Sequence, residues 1–85
     1  MEVFFHKNFE KKLKKLSVKI QSQFDDRLGL FVEDKFDVVL NNHSVEKIFP
    51  GCRSINITGD YRAIFKEEAD IVIFISIGTH SELYE

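Results

Sequence analysis

One cysteine, one proline and four glycines stand among the 85 residues, and each scarcity excludes something. Cys52 has no partner for an internal disulfide, and one cysteine with three scattered histidines does not make a zinc site. The glycines are not clustered, so no glycine-rich phosphate loop is present. No apolar run approaches the ~20 residues that a membrane span requires. The N-terminus, Met1-Glu2-Val3-Phe4-Phe5-His6, lacks a charged leader followed by a long apolar stretch. No export signal is therefore read, and the expected compartment is the cytoplasm. Repeats, low-complexity segments and linkers are missing too, so residues 1–85 are expected to form a single domain. A chain this short buries roughly 60–65% of its unfolded surface, which leaves a small core.

What is present is ordinary for a globular chain: 44% hydrophobic against 31% charged residues, too apolar for disorder. The net charge of −2 argues against a nucleic-acid binder, but its distribution argues the other way. Lys7, Lys11, Lys12, Lys14, Lys15 and Lys19 crowd the N-terminal stretch against Glu2 and Glu10 alone. Such a run is either a solvated helix surface or an RNA-facing patch, with Lys11, Lys12 and Lys15 as its candidates.

Glu2 to His6 is short, aromatic and β-branched, and reads as a strand. Asn8 is a candidate helix cap. From there Phe9, Leu13, Leu16, Ile20, Phe24, Leu28 and Phe31 recur every three or four residues, one apolar stripe at helical period. Ser17 can cap a new start, so the stripe predicts a helical hairpin over about 8–16 and 18–33. Residues 34–50 lack a clean period; Asn41-Asn42-His43-Ser44 and Pro50-Gly51 read as turns. Three strands follow, Arg53–Thr58, Tyr61–Lys66 and Ile71–Ile77, the last apolar enough to be central and buried on both faces. A plain two-residue turn at Gly59-Asp60 would put Arg62 opposite Ile57 on the apolar face, which is costly for a charge. A bulge or a longer turn is expected to rotate it to the polar side, beside Asn56 and Thr58. The chain then ends in a polar and aromatic tail, Gly78 to Tyr84. The expected fold is α+β: a small, twisted, mainly antiparallel sheet with an N-terminal helical hairpin on one face, in the order β-α-α-β-β-β.

Three segments carry a resemblance: Leu40-Asn41-Asn42-His43-Ser44-Val45, Arg53 through Arg62, and Gly78-Thr79-His80-Ser81-Glu82-Leu83-Tyr84. With the element order, they make the chain similar to the RelE superfamily of toxins from type II toxin–antitoxin systems, closest to the YafQ-like branch. The resemblance implies a ribosome-dependent mRNA endoribonuclease silenced by a cognate antitoxin. It implies chemistry without metal or other cofactor, in which the ribose 2′-hydroxyl attacks the adjacent phosphate and leaves a 2′,3′-cyclic phosphate and a 5′-hydroxyl. That reaction needs a base, an acid and positive charge against the phosphorane. His80 falls on the tail histidine of the branch, with the general acid's role. His43 falls on a loop histidine, either base or phosphate ligand, or a turn residue without a role. Asp60 falls on an acidic residue that acts as base or orients a histidine; it is also a natural turn residue. Arg62 falls on the arginine set against the scissile phosphate, a job that suits a guanidinium fork. Tyr61 and Tyr84 fall on aromatic positions, Tyr84 to stack on a base or hold the tail. Two positions depart from the branch: Asn56 stands in place of a second histidine, and Ser76 in place of a basic residue. These departures frame the alternative, a RelE-fold module that binds an antitoxin-like peptide, RNA or the ribosome without cutting. A stand-alone RNA-binding domain using the lysine face is the third reading.

Overall fold

The computed structural model describes residues 1–84. In chain order the elements are β1 (Glu2–Phe5), α1 (Lys7–Lys15), α2 (Val18–Glu33), a 3-10 turn at Val38–Leu40, β2 (His43–Ser44), β3 (Cys52–Asn56), β4 (Tyr61–Glu68), β5 (Ile71–Thr79) and α3 (His80–Tyr84). The strands form one sheet in the order β1-β5-β4-β3-β2. β1 runs parallel to β5 and every other pairing is antiparallel. The α+β expectation holds. Two elements go beyond it: β2 stands where a turn is expected, and α3 where an irregular tail is expected.

The hairpin breaks at Ser17, whose Oγ accepts the Ile20 N–H at 3.2 Å. The first helix is capped by His6 rather than Asn8. Its Nδ1 accepts the Asn8 N–H at 3.1 Å, an acceptor that the usual cap preferences do not rank. The apolar stripe of both helices packs on one face of the sheet, and Phe74 is the hub of that packing. Its ring centroid lies 5.5 Å from Phe24, 5.6 Å from Phe9, 5.7 Å from Phe31 and 5.5 Å from Phe65. Leu40, Ile55, Ile57, Ala63, Val72 and Ile77 complete this main core.

A bulge reorganises β5. Phe65 pairs with Phe74, but Ile64 pairs with Ser76, so Ile75 is the extra residue. Strand side chains alternate with period two, so without the bulge Ser76 and Gly78 would follow Phe74 onto the helix-covered face. With it, they turn to the opposite face. The expectation that β5 is buried on both faces therefore needs correction. Ile71 and Ile73, before the bulge, are exposed on the second face, whereas Ser76 and Gly78, beyond it, are buried, Gly78 against α3.

Candidate active site

The second face of the sheet carries a smaller apolar cluster, Cys52, Ile64 and Leu83, flanked by Val45, Phe49, Ile75 and Tyr84. Leu83 comes from α3, which this cluster anchors. The start of α3 is a capping box: Thr79 Oγ1 accepts the Glu82 N–H at 3.2 Å, and Glu82 Oε1 accepts the Thr79 N–H at 2.8 Å. The second bond, with the Thr79 hydroxyl next, holds the Glu82 carboxyl below the ordinary carboxylate range. Thr79-His80-Ser81-Glu82 spells that box in the sequence, the signal that would have found α3. Gly78 is what allows the helix so close: a Cβ there would stand 3.2 Å from Glu82 Oε1 and 3.5 Å from Leu83 Cγ.

α3 is joined to the β3–β4 connection by one backbone bond, from the His80 N–H to the Asp60 carbonyl at 3.0 Å. His80 and Asp60 thus meet although 20 positions separate them. The connection is the longer turn that Arg62 required. Asn56 pairs with Arg62, residues 57–60 form the loop between β3 and β4, and Arg62 shares the second face with Asn56. Its Nη1 donates to the carbonyls of Thr58 at 3.1 Å, Gly59 at 3.2 Å and Tyr61 at 3.2 Å. The guanidinium therefore staples the turn with one nitrogen, and among the described residues Nε and Nη2 have no partner. Cross-strand from Arg62 on its other side is Gly78.

His80 is exposed, and its ring centroid lies 4.7 Å from that of Tyr84, the i,i+4 neighbour on α3. Tyr84 also packs edge-on against Phe49, and it closes a surface hollow of about 340 Å³ with Ser44, Val45, Glu46, Lys47 and Ile48. His43 lies at the β2 edge, opposite Ser54. It is diagonal to Asn56, about 7–8 Å away by strand geometry. Its Nδ1 is 2.7 Å from the Asn41 carbonyl. A carbonyl only accepts, so Nδ1 carries the hydrogen and a neutral ring leaves Nε2 as the bare acceptor. The loop before it is fixed by Arg53, whose Nε donates to Asn42 Oδ1 at 2.8 Å.

The structure thus ties His80 to Asp60 through the backbone, pairs Asn56 with Arg62 across the strands and sets Tyr84 beside His80, with His43 on the flank. Lys12 reaches the same face from α1, donating to Ser76 Oγ at 3.1 Å, and Lys15 lines the hollow between α1 and α3. Two candidates stand apart. Tyr61 has the opposite parity to Arg62 and packs half-buried against the main core. Lys11 is exposed and makes no hydrogen bond or ion pair among the described residues. Ser54 was not anticipated: its Oγ, with Asn56 Oδ1 and Tyr84 Oη, is buried without a hydrogen-bond partner among the described residues. All three sit on or under the α3 side of the sheet. Among the described residues no group of three His, Cys, Asp or Glu side chains converges as a metal site, and no helix is long and apolar enough to cross a membrane.

This architecture, a five-stranded sheet with a helical hairpin on one face and a short C-terminal helix on the other, matches solved structures of YafQ and RelE toxins in fold. YafQ from E. coli strain BL21(DE3) superposes with a TM-score of 0.83 at 17% identity, covering 99% of this chain and 98% of that one. The toxin–antitoxin complex DinJ–YafQ of E. coli matches at 0.81 and 17% identity, over 99% and 97%. The RelB–RelE antitoxin–toxin complex from Methanococcus jannaschii matches at 0.74 and 20% identity, over 95% and 94%. No curated protein matches by sequence. The model of the ParE toxin family of type II toxin–antitoxin systems, parDE, matches residues 3–84, and the chain belongs to that family.

Proposed function

We propose that this toxin is a ribosome-dependent mRNA endoribonuclease acting in the cytoplasm and held silent by a cognate antitoxin. The observation that supports the reading is the His80–Asp60 backbone bond, which fixes the exposed His80 at the start of α3 against the turn that Arg62 staples. His80 protonates the leaving 5′ oxygen. His43 Nε2 or the Asp60 carboxylate takes the proton of the 2′-hydroxyl. The free nitrogens of Arg62 face the phosphorane, with Asn56 beside them. Tyr84 stacks on a base at the mouth of the hollow that it closes, and Lys12 and Lys15 meet the strand. RNA brings its own nucleophile, so no serine or cysteine is needed. The structures of DinJ–YafQ and RelB–RelE complexes support an antitoxin as partner.

A second reading is a binding module that does not cut. Asn56 cannot accept a proton, and Arg62 spends one nitrogen on three carbonyls of its own turn. The deciding experiment is digestion of a defined mRNA in a purified translation system by wild type and His80→Ala. The substitution keeps the backbone bond to Asp60, so the fold is retained. A general acid is worth about 10²–10⁴-fold in rate. Ribosome-dependent cuts bearing a 5′-hydroxyl, lost by at least that lower factor in the variant, support the enzyme. Folded wild type that cuts nothing leaves the binding module.

A further inference from the structure

Lys12 is held in an unusual way. Its side chain leaves α1 alongside the part of β5 that β1 does not pair with, and its ammonium ends on the hydroxyl of Ser76 at 3.1 Å. Ser76 is 8% exposed and faces Lys12 only because the bulge at Ile75 turns it out of the main core. Fixing a lysine costs rotamer entropy, and elsewhere on this sheet a carboxylate compensates: Lys35 ends on Glu67 at 2.6 Å and Lys66 on Glu68 at 3.5 Å. Lys12 has no ion-pair partner among the described residues. Glu82 lines the same hollow, where its carboxylate is held by the Thr79 N–H and feels the Lys12 ammonium without reaching ion-pair distance. Lys15, three residues on along the same helix face, lines the hollow as well, with Gly78 as its floor. The result is a hollow of about 180 Å³ with two lysines at its rim, one of them fixed by a neutral oxygen with N–H groups to spare.

We propose that this hollow between α1 and α3 is a phosphate subsite, in which Lys12, positioned by Ser76, and Lys15 grip an RNA phosphodiester neighbouring the one that is cut. This rests on the ribonuclease reading above. The flanks of α3 divide the work. His80 and Tyr84 share one side of the helix, and Glu82 points to the other, toward Lys12. A helix with its side chains is about 10 Å across, so one strand meets the two flanks with different phosphates. Lys12 therefore contributes to binding of substrate and transition state alike, and its loss appears in KM rather than kcat.

The test is a swap, read in the translation system with wild type, Lys12→Ala, and Lys12→Ala with Ser76→Arg. Thermal melts check that each is folded. Lys12→Ala raises KM about tenfold with kcat within about twofold, the scale of one charge-assisted hydrogen bond. Ser76→Arg, which carries the cation on β5 itself, restores most of that loss. An unchanged KM in Lys12→Ala overturns the subsite, and so does a fall in kcat alone, which would place the ammonium at the scissile phosphate. If wild type cuts nothing, the ribonuclease reading fails and the subsite is judged by binding of a 2′-O-methyl oligoribonucleotide. There Lys12→Ala reduces the slope of log K against log salt by about 0.7 for each phosphate that the variant leaves unneutralised. An unchanged slope, or no binding by wild type, overturns the subsite too.

Discussion

Replacing Leu83 with alanine should unlatch α3 without unfolding the sheet. The helix has five residues, far below the ~12–15 that an isolated helix needs to be even marginal in water. It stays docked through its capping box, the His80–Asp60 bond and the burial of Leu83 against Cys52 and Ile64. Leu83 is 7% exposed, so truncation removes nearly a whole leucine from the apolar cluster, about 2 kcal/mol or slightly more. At 1.4 kcal/mol per factor of ten, that raises the undocked population about thirtyfold. Cys52 is a built-in reporter. It is buried under the same cluster, and that burial pushes its thiol up from the ordinary range, with Lys66 opposing and Glu46 adding to the shift. Undocking exposes the sulfur and relieves the desolvation together. The assay is the rate of reaction of Cys52 with a chromogenic disulfide at pH 8, beside a urea titration. We expect modification about thirtyfold faster in Leu83→Ala, in protein that still melts cooperatively, together with loss of the proposed cleavage because His80 rides on α3. A Cys52 rate within about threefold of wild type would refute the latch.

Two further outcomes concern stability. Phe74→Ala empties the hub of the aromatic core and should cost about 3–5 kcal/mol, out of a total of about 4–13 kcal/mol for a chain of this length, a large loss that a lowered urea midpoint measures. The raised Cys52 thiol predicts a loss of stability with alkali. The folded protein keeps the thiol protonated to higher pH than the unfolded chain does, so its contribution is complete below about pH 8.5 and is lost as pH rises through the folded value. Urea midpoints at neutral and alkaline pH measure this, and Cys52→Ala should flatten the difference.

The helical hairpin was legible because the signals agree: a stripe at helical period, and one serine that could start a second helix. The long β3–β4 turn was legible from a cost, since a charge opposite Ile57 had to be rotated away, and residues 57–60 do that. What escaped the sequence depends on pairings between distant residues. β2 is two residues long and exists because β3 offers it an edge. α3 is too short for periodicity, although its capping box was written in plain order. The bulge at Ile75 left no local mark, because Ile71 to Ile77 reads as uninterrupted strand, and with it went the correct facing of Ser76 and Gly78. Tyr61 and Arg62 are sequence neighbours and candidates for one site, yet strand alternation sends them to opposite faces.

The two faces of the sheet divide stability from chemistry. The phenylalanine core under the hairpin holds the strands, whereas the cluster under α3 consists of Cys52, Ile64 and Leu83 with a few half-buried neighbours. The buried side-chain polar atoms that lack partners among the described residues, Ser54 Oγ, Asn56 Oδ1 and Tyr84 Oη, all belong to the second face. A buried polar atom without a bond costs about 1–3 kcal/mol, and that cost falls on the face where α3 docks rather than in the main core. The groups assigned to RNA therefore sit where local opening is cheapest. Opening of α3 and opening of the sheet should then separate in hydrogen exchange. Amides of α3 exchange at low free energy, and those of β4 beneath the phenylalanines exchange only at the global limit.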